Sequence, residues 1–123
     1  MNKKKANEQF DFADSEFESF HMYDREKTLK IHLTSWDEKE LCIVFCNPIQ
    51  FSFKEGDTIS SFYEIENNSI LLNEALSLHY AKIPPSHPFK LFQIWDINDF
   101  PIISIVAESV SVSKGKEIIG FRD

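Results

Sequence analysis

Leu41 to Phe53, LCIVFCNPIQFSF, is the stretch whose reading decides the fold. From Leu41 to Cys46 all six residues are apolar, too few for a lone helix and rich in side chains that suit a pleated surface. The stretch therefore reads as a strand buried on both faces. Asn47-Pro48 interrupts it, because proline lacks an amide donor and disfavours a helical residue before it. The chain then resumes with Ile49, Phe51 and Phe53 alternating with Gln50, Ser52 and Lys54, a half-buried strand closed by the turn residues Glu55-Gly56-Asp57.

Working outward, Leu29, Ile31 and Leu33 alternate with Lys30, His32 and Thr34, which predicts an antiparallel strand. The polar turn Ser35 to Lys39 returns it into the core stretch as a hairpin. The strand before it should be entered at Phe20 to Asp24. After Gly56, Ile59, Tyr63 and Ile65 fall in one register and predict another strand. Leu72, Ala75, Leu76 and Tyr80 then change to helical spacing, with Asn68 or Ser69 as cap, so the one short helix is expected at roughly 70 to 82. Pro84, Pro85 and Pro88 stop it.

Phe89 to Asp96 and Phe100 to Val112 read as a second long hairpin through Ile97-Asn98-Asp99. Within its return, Ile103, Ile105 and Ala107 share one parity while Val110 and Val112 share the other. That reversal predicts a bulge or sharp bend near Ala107 to Ser109. The expected fold is mainly β, α+β at the margin: a strongly curved antiparallel sheet or half-barrel of about six to seven strands, with the helix over one apolar face.

The chain of 123 residues suits a single domain, 1–123, and its twelve Phe and two Trp supply a core without metal or disulfide. Residues 1–16, with Phe10 and Phe12 among acids, read as a loosely held N-terminal arm, and 114–123 as a C-terminal tail in which Ile118, Ile119 and Phe121 offer an edge segment. Cys42 and Cys46 lie four apart in a strand, about 13 Å at 3.3 Å per residue, and so are expected on one face, unpaired and buried. Free thiols, a basic start with no apolar run behind it and no long apolar stretch place the protein in the cytoplasm, without a membrane partner.

Charge narrows the class of partner. Thirteen Lys and Arg stand against 20 Asp and Glu, a net charge of −7. Residues 1–5 and 114–123 hold six of the basic and two of the acidic groups, so the remainder carries seven against 18, or −11. Such a field disfavours nucleic acid and steers basic partners inward.

Catalytic and metal chemistry find little support. His21, His32, Cys42, Cys46, His79 and His87 show neither Cys-x-x-Cys nor His at i, i+4 spacing, there is no Gly-x-Ser-x-Gly, and three glycines provide no phosphate loop. No metal, no cofactor and no enzymatic activity are expected. The carboxylate pairs Asp37 with Glu38 and Asp96 with Asp99 sit in turns, where solvated acids are routine. Two tryptophans stand beside them. Trp36 precedes Asp37 and Glu38, and Trp95 precedes Asp96, so each is read either as a core anchor or as a contact for a basic partner.

Phe20-His21 at the head of a hairpin, Cys42-Ile43-Val44-Phe45 running into Phe51-Ser52-Phe53, and Phe92-Gln93-Ile94-Trp95-Asp96 followed by Ile103-Ser104-Ile105-Val106-Ala107 form an ordered set. This set resembles a group of small bacterial β-rich proteins, some of them similar to immunity proteins that neutralise a neighbour's toxin. Such proteins often carry Phe-His-Asp directly, whereas Met22 and Tyr23 separate His21 from Asp24 here. The resemblance implies an immunity-type protein that occludes a basic, toxin-like partner, with Trp36, Asp37, Glu38, Trp95, Asp96, Asp99, His21 and Asp24 as candidate contacts. A small-ligand or regulatory β module with an apolar pocket is the alternative.

Overall fold

In the computed structural model, which describes residues 2–66 and 69–115, the stretch 40–53 forms two strands in two different sheets. In chain order the strands are β1 (Asn2–Lys5), β2 (Glu16–Tyr23), β3 (Thr28–Thr34), β4 (Glu40–Cys46), β5 (Gln50–Phe53) and β6 (Ile59–Glu66). Helix α1 (Ile70–His79) follows, then β7 (Lys90–Asp96), β8 (Pro101–Ala107) and β9 (Ser109–Lys114). All pairing is antiparallel: β1-β6-β7-β8-β5 in one sheet and β2-β3-β4-β9 in the other. The fold is thus mainly β with one short helix among the described residues, as alternation predicts, but its nine strands divide between two sheets and close no barrel.

The division happens at one corner. Cys46 pairs with Ser109 on the four-stranded sheet and Gln50 pairs with Val106 on the five-stranded one. Strands 40–53 and 101–114 are therefore one bent ribbon that leaves one sheet and enters the other. Asn47 takes a left-handed backbone (φ 52°) and Pro48 follows it, while Glu108 sits opposite between β8 and β9. The corner keeps its hydrogen bonds: Glu108 N donates to Cys46 O (2.9 Å), Ile49 N to Val106 O (2.8 Å) and Asn47 N to Lys27 O (2.7 Å). Asn47 Nδ2 also donates to the Glu108 carboxylate. Strands that switch sheets make such corners in β-sandwiches. The reversal of parity after Ala107 is the sign of this switch, because the inward side of the strand changes when its sheet does.

Between the sheets lie Leu29, Ile31, Leu33, Leu41, Ile43 and Phe45 from one and Phe62, Phe92, Ile94, Ile103 and Ile105 from the other. Phe45 is centred on this layer, 5.9 Å from the Phe62 ring and 5.7 Å from that of Phe92. On the far face of the five-stranded sheet, Ala75 and Leu76 of α1 cover Ile65, Leu91 and Val106. Ser69 caps α1, its hydroxyl accepting from Leu72 N (3.1 Å), and the helix ends at His79, three residues short of the expected bound.

Several expectations are corrected. Ile59 does not share a face with Tyr63 and Ile65: a bulge between Ile59 and Ser61 sends Ile59 into the inter-sheet core and the other two towards the helix side. Cys42 is buried, but Cys46 is exposed, at the last position of β4, where it pairs with Ser109 at the start of β9. Strand β2 starts at Glu16, earlier than the expected entry at Phe20. Residues 2–5 pair along β6, and Phe12 is buried against Phe62 at 5.4 Å, so the stretch expected to be loosely held contributes an edge strand and a core ring. Lys114, assigned to a tail, ends β9, while residues 116–123 with their expected edge segment lie outside the described residues.

Phe45→Ala should cost about 3 to 5 kcal/mol of unfolding free energy, whereas Phe51→Ala, at a half-exposed edge, should cost about 1 kcal/mol or less. Urea unfolding of both variants checks the ordering; equal losses would place Phe45 outside the inter-sheet core.

Candidate functional site

Two edge strands leave the sandwich open on one side. Among the described residues, the inward-facing side chains of β2 and β5 have no strand beyond them, so Phe17, Phe20 and Phe51 remain 41%, 43% and 41% exposed while gathering around Phe53. Phe20 stacks on Phe53 at 4.4 Å, and Phe17 lies 5.9 Å and Phe51 6.0 Å from the same ring. Beside these rings is an open cleft of about 560 Å³ lined by Glu16, Lys54, Glu55, Asp57 and Ile102 among others. Three carboxylates face one ammonium there. An apolar floor with a few charged groups at its rim is the usual chemistry of a recognition surface.

The cleft wall at 54–58 is held by Asp96. Asp96 is 3% exposed, and its carboxylate accepts from Asp57 N (3.1 Å), Asn98 N (2.9 Å) and Phe100 N (3.1 Å). Removal from water pushes its pKa up, but these three amides outweigh that and hold the carboxyl below the usual Asp value of 3.8. Gly56 allows the approach: a Cβ there would meet Ile102 Cγ2 at 2.3 Å. Asp96 is therefore a fastener of two loops, not the solvated turn acid that residue type alone suggests. Asp99 is exposed at the tip of the same turn, with φ 63°.

The turn between β3 and β4 carries the other cluster. Ser35 N donates to Lys39 O (2.8 Å), Glu38 N to Ser35 O (2.9 Å) and Lys39 N to Ser35 Oγ (3.2 Å). The Ser35 hydroxyl donates to Asp37, and this bond, with Lys39 and Lys114 adding attraction against some desolvation, holds the Asp37 carboxyl below its ordinary value. Lys39 Nζ stands 3.7 Å from Asp37. On this braced turn the Trp36 side chain is 64% exposed beside Asp37 and Glu38.

The remaining candidates are dispersed. Trp95 is half-buried on the helix-side face of β7, where Nε1 donates to Gln93 Oε1 (3.1 Å) and Lys3 Nζ lies 3.9 Å from its ring centre. Its indole is occupied within the fold. His21 is exposed on the outer face of β2, 5.8 Å from the His32 ring, and Asp24 stands in the next turn with its carbonyl accepting from Lys27 N (3.3 Å). No hydrogen bond or ion pair joins His21 to Asp24 among the described residues. No group of three or more His, Cys, Asp or Glu there is arranged to hold a metal, and no helix is long and apolar enough to cross a membrane.

No protein-family model, curated protein or solved structure matches the chain. Function therefore rests on these surfaces alone.

Phe20, Phe51 and Phe53 were legible as apolar strand residues but not as a surface cluster, and Phe17 lay ahead of the expected strand entry at Phe20. Whether an inward-facing ring is covered depends on which strands end up at the edges.

The lowered pKa of Asp96 fixes the sign of a pH effect. A carboxyl depressed on folding stabilises the native state above its unfolded pKa, and that stability is lost as pH falls through the folded value, here below 3.8. Asp96→Asn should be less stable than the parent near neutrality and should converge with it as pH falls below 3.8. Urea midpoints across that range check this; a constant gap would mean that the ionised carboxylate is not what holds the loops.

Proposed function

We propose that this chain is a non-enzymatic, cytoplasmic binding protein of the immunity type, which occludes a basic, toxin-like protein with acidic and aromatic groups. The observation that carries the reading is the braced turn at Trp36, where a large indole is held in water beside two carboxylates. Exposing tryptophan has no folding benefit, and desolvating it against a partner is among the larger single gains an interface can make. The charge of −11 over residues 6–113, seven basic against 18 acidic groups, adds long-range attraction for a cation. Asp99, exposed at the tip of the β7–β8 hairpin, is one of these acidic groups.

The second reading, a module for a small apolar ligand, draws on the 560 Å³ cleft. The cleft is open to solvent along its phenylalanine rings, which suits a macromolecular contact better than an enclosed ligand.

The test uses the protein partner captured by the full chain from its native host. Glu38→Lys should slow association and weaken its salt dependence, while Trp36→Ala should mainly speed dissociation, at a cost of about 2 kcal/mol or more. Glu38 is the better charge probe, because Asp37 is engaged by Ser35 and Lys39. Unchanged kinetics in both variants would remove the turn from the interface. Failure to capture any protein, with a small molecule retained instead, would favour the second reading.

A further inference from the structure

The four outer strands of the two sheets are not alike. Strand β1 carries Lys3, Lys4 and Lys5, β2 carries Glu16 and Glu18, and β9 alternates serine with valine. Charges along an edge discourage the pairing of further strands. Strand β5, Gln50-Phe51-Ser52-Phe53, has no charge within it.

The hydrogen-bond phase of β5 is set by Lys54 N, which donates to Ile102 O of the neighbouring chain segment at 2.7 Å. Antiparallel ladders alternate, so with Ser52 opposite Ser104 the amides and carbonyls of Phe51 and Phe53 point away from β8, onto an edge that no strand pairs with among the described residues. A strand laid along that edge would send successive side chains to opposite faces. Each face has a receptacle. On the inner side is the cleft of about 560 Å³ beside Phe17, Phe20 and Phe53. On the outer side, between Gln50 and helix α1, is a hollow of about 520 Å³ lined by Ile70, Asn73, Glu74, Ser77 and Leu78. Ile70 and Leu78 are among the most exposed aliphatic residues of the protein.

We propose that β5 is a strand-addition site, which takes an extended segment of a basic protein. Apolar residues of that segment alternate between the phenylalanine cleft and the Ile70–Leu78 hollow, and its flanking Lys or Arg meet Glu16, Glu55, Asp57 and Glu74. Charge complementarity selects this occupant, since those four carboxylates face the single ammonium of Lys54 around the two receptacles. The same acids repel a second copy of this chain. Main-chain bonds at the edge supply affinity and the two receptacles supply specificity, as in other strand-addition complexes. Pro48 and the short length of β5 restrict pairing to a segment whose side chains fit both sides. The inference rests on the basic-partner reading but assigns a different surface from the Trp36 turn.

The test is titration of the full chain with a fluorescein-labelled synthetic peptide of about eight residues, in which Phe and Leu alternate and Lys or Arg occupies both ends. Phe51→Ala removes a ring and keeps the edge amide; Phe51→Pro removes both, at a position where an edge strand tolerates proline. The expected result is binding that weakens in Phe51→Ala and weakens about tenfold or more further in Phe51→Pro. In the unsubstituted protein, the Phe51 and Phe53 amides should become protected from hydrogen exchange when the peptide is added, a readout that does not depend on any variant folding. Absence of binding, equal affinities of the Ala and Pro variants, or equal binding of a peptide broken by a central proline would overturn strand addition. Binding that maps to Trp36 and is lost in Trp36→Ala overturns it while leaving the basic-partner reading intact. Equal binding of a peptide with Glu at both ends overturns that reading and this inference together.

Discussion

The corner where 40–53 and 101–114 pass together from one sheet to the other is the constraint on which the rest of the structure depends. A β-sandwich needs two sheets held face to face, and here a single paired ribbon belongs to both. Because both of its strands bend at the same place, backbone groups that a sheet break would orphan find partners across the bend: Glu108 N on Cys46 O, Ile49 N on Val106 O. Unpaired buried amides are costly, so a corner that leaves none at these positions is a stable one. With the corner set, Phe45 on one sheet must face Phe62 and Phe92 on the other, and the helix is left the opposite face to cover.

The same corner determines what stays open. It delivers β5 to the outside of the five-stranded sheet, while β2 occupies the outside of its partner sheet, and their inward phenylalanines meet with no strand beyond them among the described residues. Residues 6–15 send Phe12 into the core against Phe62, while Phe17, Phe20 and Phe51 stay exposed. An exposed apolar cluster thus follows from topology and not from excess hydrophobicity, and its acidic rim follows from Glu16 and the 55–57 turn. Function, on this account, resides at edges and turns supported by a closed core.

Much of this was legible in the sequence. Alternation marked β3, β5 and β8, helical spacing marked α1, and reversed parity after Ala107 marked the bend at Glu108. What could not be read was that the Asn47-Pro48 interruption and that bend lie opposite one another, since each is a local signal and their meeting is a tertiary fact. The bulge between Ile59 and Ser61 left no distinguishing residue, and it was enough to move Tyr63 and Ile65 to the other face. Asp96 looked like any turn carboxylate, because nothing in residue type says that amides from two loops will converge on it. Trp36 stood open between core anchor and partner contact, and its exposure has a plain reason: a polar five-residue hairpin turn has no interior in which to hide an indole.

Native-state hydrogen exchange, followed residue by residue by NMR on the free protein, tests the central claim most directly. If one ribbon turns the corner intact and leaves β5 as an open edge, the Ile49 and Glu108 amides should exchange as slowly as those of the core strands, and the Phe51 and Phe53 amides should exchange rapidly although they lie in a strand. Rapid exchange at Ile49 and Glu108 together with slow exchange at Phe51 and Phe53 would contradict both the continuous corner and the free edge.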